Sequence, residues 1–305
     1  MRVLFIGGTG NISTDCTKDA LANGIEVCHL NRGTRESSVG DSVRTFTADI
    51  RKPSEVAAVL EGERFDVVVD FIAFVPQHIK TDVELFADRT RQFIFISSAS
   101  AYHKPPRHYL ITESTPLYNP FWSYSRNKIE CEEILMGEYR SRGFPATIVR
   151  PSHTYSTGWL PTTFGHTFTV PQRMLDGRPI VVHGDGTSLW TLTHTIDFAK
   201  AFTGLLGNPA AIGESFHITS DEALPWDSIH RTIADALGVT PEIVHVPSDR
   251  IACVDPEFAA GLLGDKAHSV VFDNTKIKRF VPGYEATIRF DHGVRLSIDY
   301  LNRHP

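Results

Sequence analysis

The sequence predicts an α/β fold built on a doubly wound parallel sheet, with a smaller lobe formed by the C-terminal half of the chain. Two patterns in the first half carry this prediction. Short runs of Val, Ile, Leu and Phe recur without polar alternation, and each is followed by a turn and a longer stretch with helical spacing. Strands that are apolar throughout are buried on both faces, as in a parallel sheet covered by helices.

The predicted strands of the first half are residues 3–6, 25–30, 45–48, 67–71, 93–96 and 147–149. Helical spacing predicts helices over 123–139 and 226–237. Beyond Pro151 the rhythm loosens into segments rich in Thr, Gly and Pro. We therefore expect one domain over 1–155, with later returns near 178–219, and a second lobe over 156–305.

Composition and charge exclude several classes of protein. The 305 residues are 41% hydrophobic and 22% charged, which is typical of a globular protein and excludes a disordered or fibrous one. The 30 Lys and Arg against 36 Asp and Glu give a formal charge of −6, the wrong sign for generic binding to a phosphate backbone, so we expect no nucleic-acid partner. No apolar run is long enough for a signal peptide or a membrane span, so no membrane partner is expected.

The cysteines and histidines indicate no metal site. None of the 14 histidines belongs to a His-x-x-x-His pattern. The cysteines form no Cys-x-x-Cys pair, which indicates neither a disulfide framework nor a zinc site and favours a reducing, cytoplasmic setting. They are scattered along the chain at Cys16, Cys28, Cys131 and Cys253.

The segment Gly7-Gly8-Thr9-Gly10 lies between the first predicted strand and a helix, which is the context of a dinucleotide-binding turn. Gly7 permits the sharp turn, Gly10 lets the backbone approach a pyrophosphate, and the following helix N-terminus supplies N–H donors. Ser13 stands where a third glycine is usual, and we expect it to crowd the helix slightly. The domain over 1–155 is therefore interpreted as a Rossmann-type dinucleotide-binding domain, with the cofactor contacts Gly7, Thr9, Gly10, Asn11 and Ile12.

The end of the second strand bears on the choice of cofactor. A carboxylate at this place would bind the ribose 2′-hydroxyl of NAD, but the chain carries Asn31 and Arg32. Asn31 does not repel a 2′-phosphate and Arg32 could pair with one, which favours NADP. Asn31 can also hydrogen-bond a ribose hydroxyl, and Arg32 could instead stack on adenine or face water. The cofactor is therefore expected to be NAD or NADP, with neither preferred.

Three further residues form a candidate catalytic group. Tyr124 and Lys128 are four residues apart in a predicted helix, so they share one face, where the ammonium can favour the ionised phenol and reach a cofactor ribose. Ser98 follows the strand 93–96, at the sheet edge that faces the cofactor, so its hydroxyl can bind the same substrate oxygen. We predict that Ser98, Tyr124 and Lys128 are catalytic and that Tyr124 and Lys128 also contact the cofactor.

With the glycine turn, the strand-end serine and the Tyr–Lys pair in this order and spacing, the chain resembles the extended short-chain dehydrogenase/reductase family of NAD(P)-dependent sugar epimerases and dehydratases. The resemblance covers essentially the whole chain. It implies that residues 49–50 contact adenine, that 70–73 pack along the cofactor, and that 150–155 line the nicotinamide and the substrate. The cofactor contacts that it adds are Asp49, Ile50, Phe71, Ile72, Ala73 and Pro151.

The candidate substrate contacts are Ser100, His153 and Trp190, and the last departs from the family pattern. Many members carry near Trp190 an arginine that grips a nucleotide diphosphate, whereas an indole can only stack on a base or a sugar face. Residues 264–268 likewise replace the family's Arg-Pro-Gly-Asp segment. These departures leave open whether the substrate is a sugar nucleotide, a sugar phosphate or a nucleoside.

The sequence is interpreted as an NAD(P)-dependent epimerase or dehydratase that transiently oxidises a hydroxyl to a ketone. Tyr124 would take the hydroxyl proton, and Ser98 would steady the developing carbonyl oxygen. Ala99 and Ser100 replace the acidic pair of the family's sugar-nucleotide dehydratases, which favours an epimerase.

Two alternatives to this interpretation stay open. One is an NADPH-dependent carbonyl reductase with the same three residues. The other is a non-catalytic RNA-binding protein on the same fold, which the negative charge and the intact Tyr–Lys pair oppose. The resemblance also implies a homodimer.

Overall fold

The computed structural model describes residues 1–34, 39–164 and 168–303, and within these ranges the chain forms fourteen strands and eleven α-helices. The strands are β1 (Arg2–Ile6), β2 (Glu26–Asn31), β3 (Arg44–Thr47), β4 (Phe65–Asp70), β5 (Thr90–Ile96), β6 (Leu110–Ile111), β7 (Ala146–Pro151), β8 (His153–Tyr155), β9 (Ile180–His183), β10 (Leu189–His194), β11 (Ser215–Ile218), β12 (Ala223–Pro225), β13 (Ile243–Val246) and β14 (Val271–Phe272). The helices are α1 (Asn11–Ala22), α2 (Pro53–Val59), α3 (Pro76–Phe86), α4 (Ser123–Arg142), α5 (Thr169–Leu175), α6 (Thr195–Leu205), α7 (Trp226–Leu237), α8 (Ser248–Val254), α9 (Pro256–Gly261), α10 (Thr275–Phe280) and α11 (Phe290–Arg303).

Seven strands form one sheet in the order β11-β7-β5-β4-β1-β2-β3, and every neighbouring pair in it is parallel. The strand order reverses between β1 and β4, the point at which ligands bind in a doubly wound sheet. The six predicted strands all lie in this sheet, and β11 adds one strand from the second half of the chain. The predicted doubly wound α/β fold is therefore confirmed.

The sheet is buried on both faces because its side chains alternate between two cores. In β1, Val3 and Phe5 pack into the core beneath α1 and α6, whereas Leu4 and Ile6 pack into the opposite core. Helices α2, α3 and α4 contribute apolar side chains to that opposite core. Two covered faces explain why these strands lack the polar alternation of a sheet with one solvated side.

A third core joins the small sheets to α5, α7 and α11 in the second half of the chain. These sheets are β12-β10-β8, β13-β9 and β14-β6. Strand β6 lies early in the chain but pairs with β14 near its end. Within residues 178–219, α6 and β11 pack on the large sheet, whereas β9 and β10 belong to the second lobe. Helix α7 begins and ends where the spacing predicts it.

Three further observations concern hydropathy, possible metal ligands and the cysteines. No helix in the described ranges combines the length and the hydropathy needed to cross a bilayer. In the same ranges no three His, Cys, Asp or Glu side chains converge as metal ligands. All four cysteines are free thiols, three of them buried and Cys253 exposed.

Candidate active site

The glycine turn joins β1 to α1 at the carboxyl edge of the large sheet. Gly7 has a φ of 81°, in the region that favours glycine, and a Cβ there would lie 2.6 Å from Cγ2 of Ile72. Gly8 is equally restricted, because its Cβ would lie 2.4 Å from the His29 ring. Gly10 caps α1 with extended backbone, and its Cβ would meet only Ser13 Oγ, at 3.3 Å, and a backbone oxygen. The first two glycines are therefore needed for the turn itself, whereas Gly10 leaves room for a ligand.

Ser13 closes this turn through its hydroxyl. Its hydroxyl donates to the carbonyl of Gly7 at 2.7 Å and accepts from the N–H of Gly10 at 2.8 Å. The buried serine therefore takes the place of the third glycine by tying the turn together with two hydrogen bonds, and the expected crowding of the helix stays a prediction. Asn31 supports the same turn, since its Oδ1 accepts from the N–H of Gly8 at 3.1 Å.

A cleft of about 400 Å³ opens beside the glycine turn. Backbone N–H groups at a helix N-terminus and a small-residue turn suit a pyrophosphate, so these residues fit a dinucleotide. Arg32 is exposed at the cleft and forms no ion pair within the described part of the chain. The cleft is lined by Gly7, Thr9, Gly10, Leu30, Asn31, Arg32, Gly33, Thr34, Ala48, Asp49, Arg51, Ile72, Phe74 and His78.

Some predicted cofactor contacts lie behind this lining. Ile50 is buried in the core beneath α2 and α3, and Phe71 packs against Phe5 with ring centroids 5.2 Å apart. Ala73 is fully buried, and its N–H donates to the Asp70 carboxylate at 2.8 Å. These residues pack beneath the side chains that line the cleft and are not part of its lining.

At the helix N-terminus that follows the turn, the two predicted contacts also differ in exposure. Asn11 is exposed, and Ile12 packs partly into the core beneath α6.

Tyr124 and Ser98 come together at the end of β5, as the sequence predicts. Tyr124 lies in the first turn of α4, between the rings of Trp122 and Phe74, at centroid distances of 4.7 and 6.4 Å. Burial raises the pKa of its phenol, a hydrogen bond with Ser98 opposes that rise, and the charge of Asp265 adds to it. The phenol is therefore protonated at neutral pH in the cofactor-free protein.

A chain of serine hydroxyls ends at Ser98. Ser125 donates to Oγ of Ser100 at 2.7 Å, and the Oγ atoms of Ser100 and Ser98 are 2.9 Å apart. Ser98 also accepts from the N–H of Ser100 at 3.2 Å. Either hydroxyl can be the donor between Ser98 and Ser100, because each has one hydrogen and two lone pairs. Ser125 is a neighbour of this pair that the sequence analysis missed.

Lys128 is buried beneath this pair, one helical turn after Tyr124. Its Nζ donates to the carbonyl oxygens of Ala73 and Ile96, both at 2.7 Å, so it links the ends of β4 and β5. Burial lowers its pKa to about 8, although the Asp70 carboxylate opposes this. Its Nζ lies 5.7 Å from the centroid of the Tyr124 ring, so the expectation that Lys128 favours the ionised phenol stays a prediction.

A second pocket of about 270 Å³ adjoins Tyr124, and it contains Pro151 and all three predicted substrate contacts. Trp190 is only 2% exposed, and its ring packs against that of Trp226 with centroids 5.2 Å apart. This burial opposes the expectation that Trp190 stacks on a sugar or a base, because little of the indole is open to a ligand. The pocket is lined by Ser98, Ala99, Ser100, Trp122, Tyr124, Pro151, Ser152, His153, Trp190, Asp265, Lys266, Val270 and Phe272.

Trp190 instead fixes the protonation of His153. The indole Nε1–H, which can only donate, lies 3.0 Å from Nδ1 of His153. Nδ1 must then be an acceptor, so the neutral ring carries its proton on Nε2. Burial, aided by the charge of Lys266, lowers the pKa of His153 to about 3. His153 is therefore a neutral side chain whose one N–H is on Nε2.

Asp265 and Lys266 complete this pocket, and the sequence analysis noted them only as a departure from a family pattern. They lie on a π-helical turn, Leu262–Lys266, which Asn119 holds by donating to the carbonyl of Gly264 at 2.7 Å. No local sequence signal places this turn beside Tyr124, because the contact joins segments far apart in the chain.

Comparison with known proteins relates the chain to two curated relatives. A 2'-dehydrokanamycin reductase from Streptomyces kanamyceticus is 26% identical over 288 residues, covering 93% of this chain and 80% of the relative. A chloroplast stem-loop binding protein from Arabidopsis thaliana is 28% identical over 261 residues, covering 80% of this chain and 65% of the relative.

Among solved structures, the complex of UDP-glucose 4-epimerase from Thermus thermophilus with NAD superposes with a TM-score of 0.79 over 99% of both chains, at 22% identity. The model of the NAD dependent epimerase/dehydratase family matches residues 3–219, which include all seven strands of the large sheet. With its glycine turn, its Ser98–Tyr124 pair and this match, the chain belongs to the NAD dependent epimerase/dehydratase family and is an NAD(P)-dependent enzyme of the short-chain dehydrogenase/reductase type.

Proposed function

We propose that this enzyme inverts a hydroxyl-bearing carbon of a sugar-containing small molecule through a transient ketone. The observation that carries the proposal is that Ser98 and Tyr124 line the same pocket next to the cofactor cleft. Phe74 joins the two, because it lines the cleft and its ring contacts the ring of Tyr124. A donor hydroxyl and an acid/base phenol at one place are what a reversible alcohol oxidation needs.

The roles follow from the hydrogen bonds of these side chains. Bound NAD or NADP would supply the acceptance and return of a hydride. The Tyr124 oxygen takes the proton of the substrate hydroxyl and later returns it, and the Ser98 hydroxyl donates to the same substrate oxygen. The backbone of Gly7, Thr9 and Gly10 would hold the pyrophosphate. The raised pKa of Tyr124 makes a nearby positive charge necessary for the ionised form, and the Lys128 ammonium, 5.7 Å from the centroid of the Tyr124 ring, would supply it.

Epimerisation is favoured over dehydration by the acid groups at hand. A dehydratase needs an acid and a base for the leaving group and its neighbouring carbon, but Ala99 and Ser100 follow Ser98. Of the pocket-lining residues that the structure describes, Asp265 carries the only carboxylate, and it is paired with the Lys104 ammonium at 3.1 Å.

A carbonyl reductase is the second candidate function, favoured by the curated relative that reduces 2'-dehydrokanamycin. The two functions differ in their use of cofactor. An epimerase keeps and recycles its cofactor, whereas a reductase consumes one NADPH per product. Measuring NADPH loss against product formed decides between them.

The proposal also concerns setting and partners. We expect a cytoplasmic homodimer without nucleic-acid binding, supported by the free thiols, the family resemblance and the charge of −6. Light scattering tests the dimer. Because one relative is a chloroplast stem-loop binding protein, a filter-binding assay with stem-loop RNA is the direct test of the nucleic-acid expectation, and binding at physiological salt would contradict it.

The test of the catalytic role is Tyr124→Phe, with the exposed Tyr109→Phe as its control. Mass spectrometry of small molecules released from the denatured protein first reduces the number of candidate substrates. Tyr124→Phe should then lower turnover roughly 100-fold or more at unchanged cofactor affinity, because only the phenol oxygen is lost while ring contacts remain. A Tyr124→Phe enzyme with more than about a tenth of the activity would overturn the role.

A further inference from the structure

The substrate pocket carries an uncompensated positive charge, and this bears on the class of substrate. Of the lining residues in the described ranges, Asp265 has the one carboxyl group and Lys266 the one amino group. His153 is neutral, because Nδ1 accepts from Trp190. The charge of the pocket therefore depends on how the Asp265 carboxylate and the Lys266 ammonium are paired.

The carboxylate is neutralised from behind the pocket wall. Oδ1 of Asp265 lies 3.1 Å from Nζ of Lys104, whose side chain is fully buried. A buried ammonium needs a counter-charge, and Asp265 supplies it. Asp265 is therefore committed to Lys104.

The ammonium of Lys266 has no such partner. No residue in the described ranges accepts a hydrogen bond from its Nζ or pairs with it, and its one ring contact is with Phe258, 5.8 Å from the ring centroid. Burial lowers the pKa of Lys266, and the neighbouring Asp265 opposes this. A half-buried cation without an acceptor is stabilised by an anion that enters the pocket.

We propose that Lys266 binds a compact anionic group of the substrate, a carboxylate or a phosphate monoester carried on the sugar. The proposal rests on the epimerase function and names its substrate class as an acidic monosaccharide. The pocket volume of about 270 Å³ supports a single ring, since pockets for drug-sized ligands are typically ~300–1,000 Å³. A single lysine suits one compact anion, whereas a nucleotide diphosphate brings two phosphates and a base.

The test is calorimetry on the NAD-loaded protein with matched sugars. Galacturonate, galactose and galactosamine share a ring and present an anionic, a neutral and a cationic form. Glucose 1-phosphate against glucose tests a phosphate in place of a carboxylate, and UDP-glucose tests the nucleotide sugar. We expect the acidic member of each pair to bind about ten-fold or more tightly than the neutral one, and galactosamine to bind worst, because a charge-assisted hydrogen bond replaces a neutral one.

Variants identify the residue responsible. Lys266→Met should abolish the preference for the acidic sugars, Lys266→Arg should keep it, and Lys80→Met, at an exposed lysine of α3, should leave it unchanged. NAD affinity reports that each variant is folded. Equal binding of acidic and neutral sugars, failure of every acidic sugar to bind, a preference for UDP-glucose over the acidic sugars, or a preference that survives Lys266→Met would overturn the proposal. Binding does not require turnover, so the Tyr124→Phe result tests the epimerase function separately.

Discussion

Lys128 should make the stability of the cofactor-free protein depend on pH in a way that one substitution removes. Its pKa is lowered by burial from 10.5 to about 8, so between these values the unfolded chain binds the proton more readily than the folded one. The stability that a depressed pKa contributes is therefore fully present above pH 10.5 and is lost as the pH falls through 8. From pH 7 to 9.5 the free energy of unfolding should therefore gain about 2 kcal/mol from this residue.

Urea unfolding of wild type and Lys128→Met at both pH values measures this contribution. Burial raises the pKa of the neighbouring Cys131 thiol to about 12, and losing the Lys128 charge raises it further, so this thiol stays protonated in both folded proteins over this pH range. The stability difference between the two proteins therefore changes with pH because of Lys128. The stability of wild type relative to Lys128→Met should rise by about 2 kcal/mol at pH 9.5. Lys80→Met, at an exposed lysine, should show no such change. A difference between wild type and Lys128→Met that is independent of pH would refute the argument from burial.

Three further predictions concern the cofactor cleft and the core beneath it. Gly10→Val should fold, because Gly10 has extended backbone and few neighbours, but should weaken cofactor binding in calorimetry; unchanged affinity would make the glycine purely structural. Arg32→Ala should weaken NADP binding about ten-fold and NAD binding little, since only NADP offers a 2′-phosphate; equal effects in a titration of both would place Arg32 elsewhere. Glu132→Gln should cost roughly 3 kcal/mol in urea unfolding, because it leaves the buried Arg150 guanidinium, 2.6 Å away, without its counter-charge. Glu138→Gln, which breaks a more exposed pair on the same helix, should cost under about 1 kcal/mol, and equal costs would refute the burial argument.

The large sheet could be predicted because its signal is local. Each central strand is an apolar run buried on two faces, so the sequence marks it without reference to its neighbours. The spacing of Tyr124 and Lys128 and the position of Ser98 after β5 are local in the same sense. The structure accordingly brings Ser98 and Tyr124 together in one pocket.

The second lobe could not be predicted in this way, because pairing between distant segments decides its structure. Strands β6 and β14 have two residues each and are defined only by their contact with each other. The burial of Trp190 depends on Trp226, and the position of Lys266 depends on Asn119. No window of the sequence contains both members of these pairs. The sequence therefore showed the turn from Leu262 to Lys266 as a departure from a family pattern and not as part of a site.

The pairing of β6 with β14 limits how this enzyme can acquire a new specificity. The second lobe contains segments from both halves of the chain, because β6 pairs with β14. Recombination could therefore not exchange the whole lobe as one continuous stretch of gene. Replacing residues 156–305 with those of another protein would leave β6 without its partner and would remove β11 from the large sheet. A point replacement at Lys266 changes no residue of either sheet, because the turn Leu262–Lys266 lies outside the strands. Divergence of substrate choice is therefore expected to proceed residue by residue along that turn.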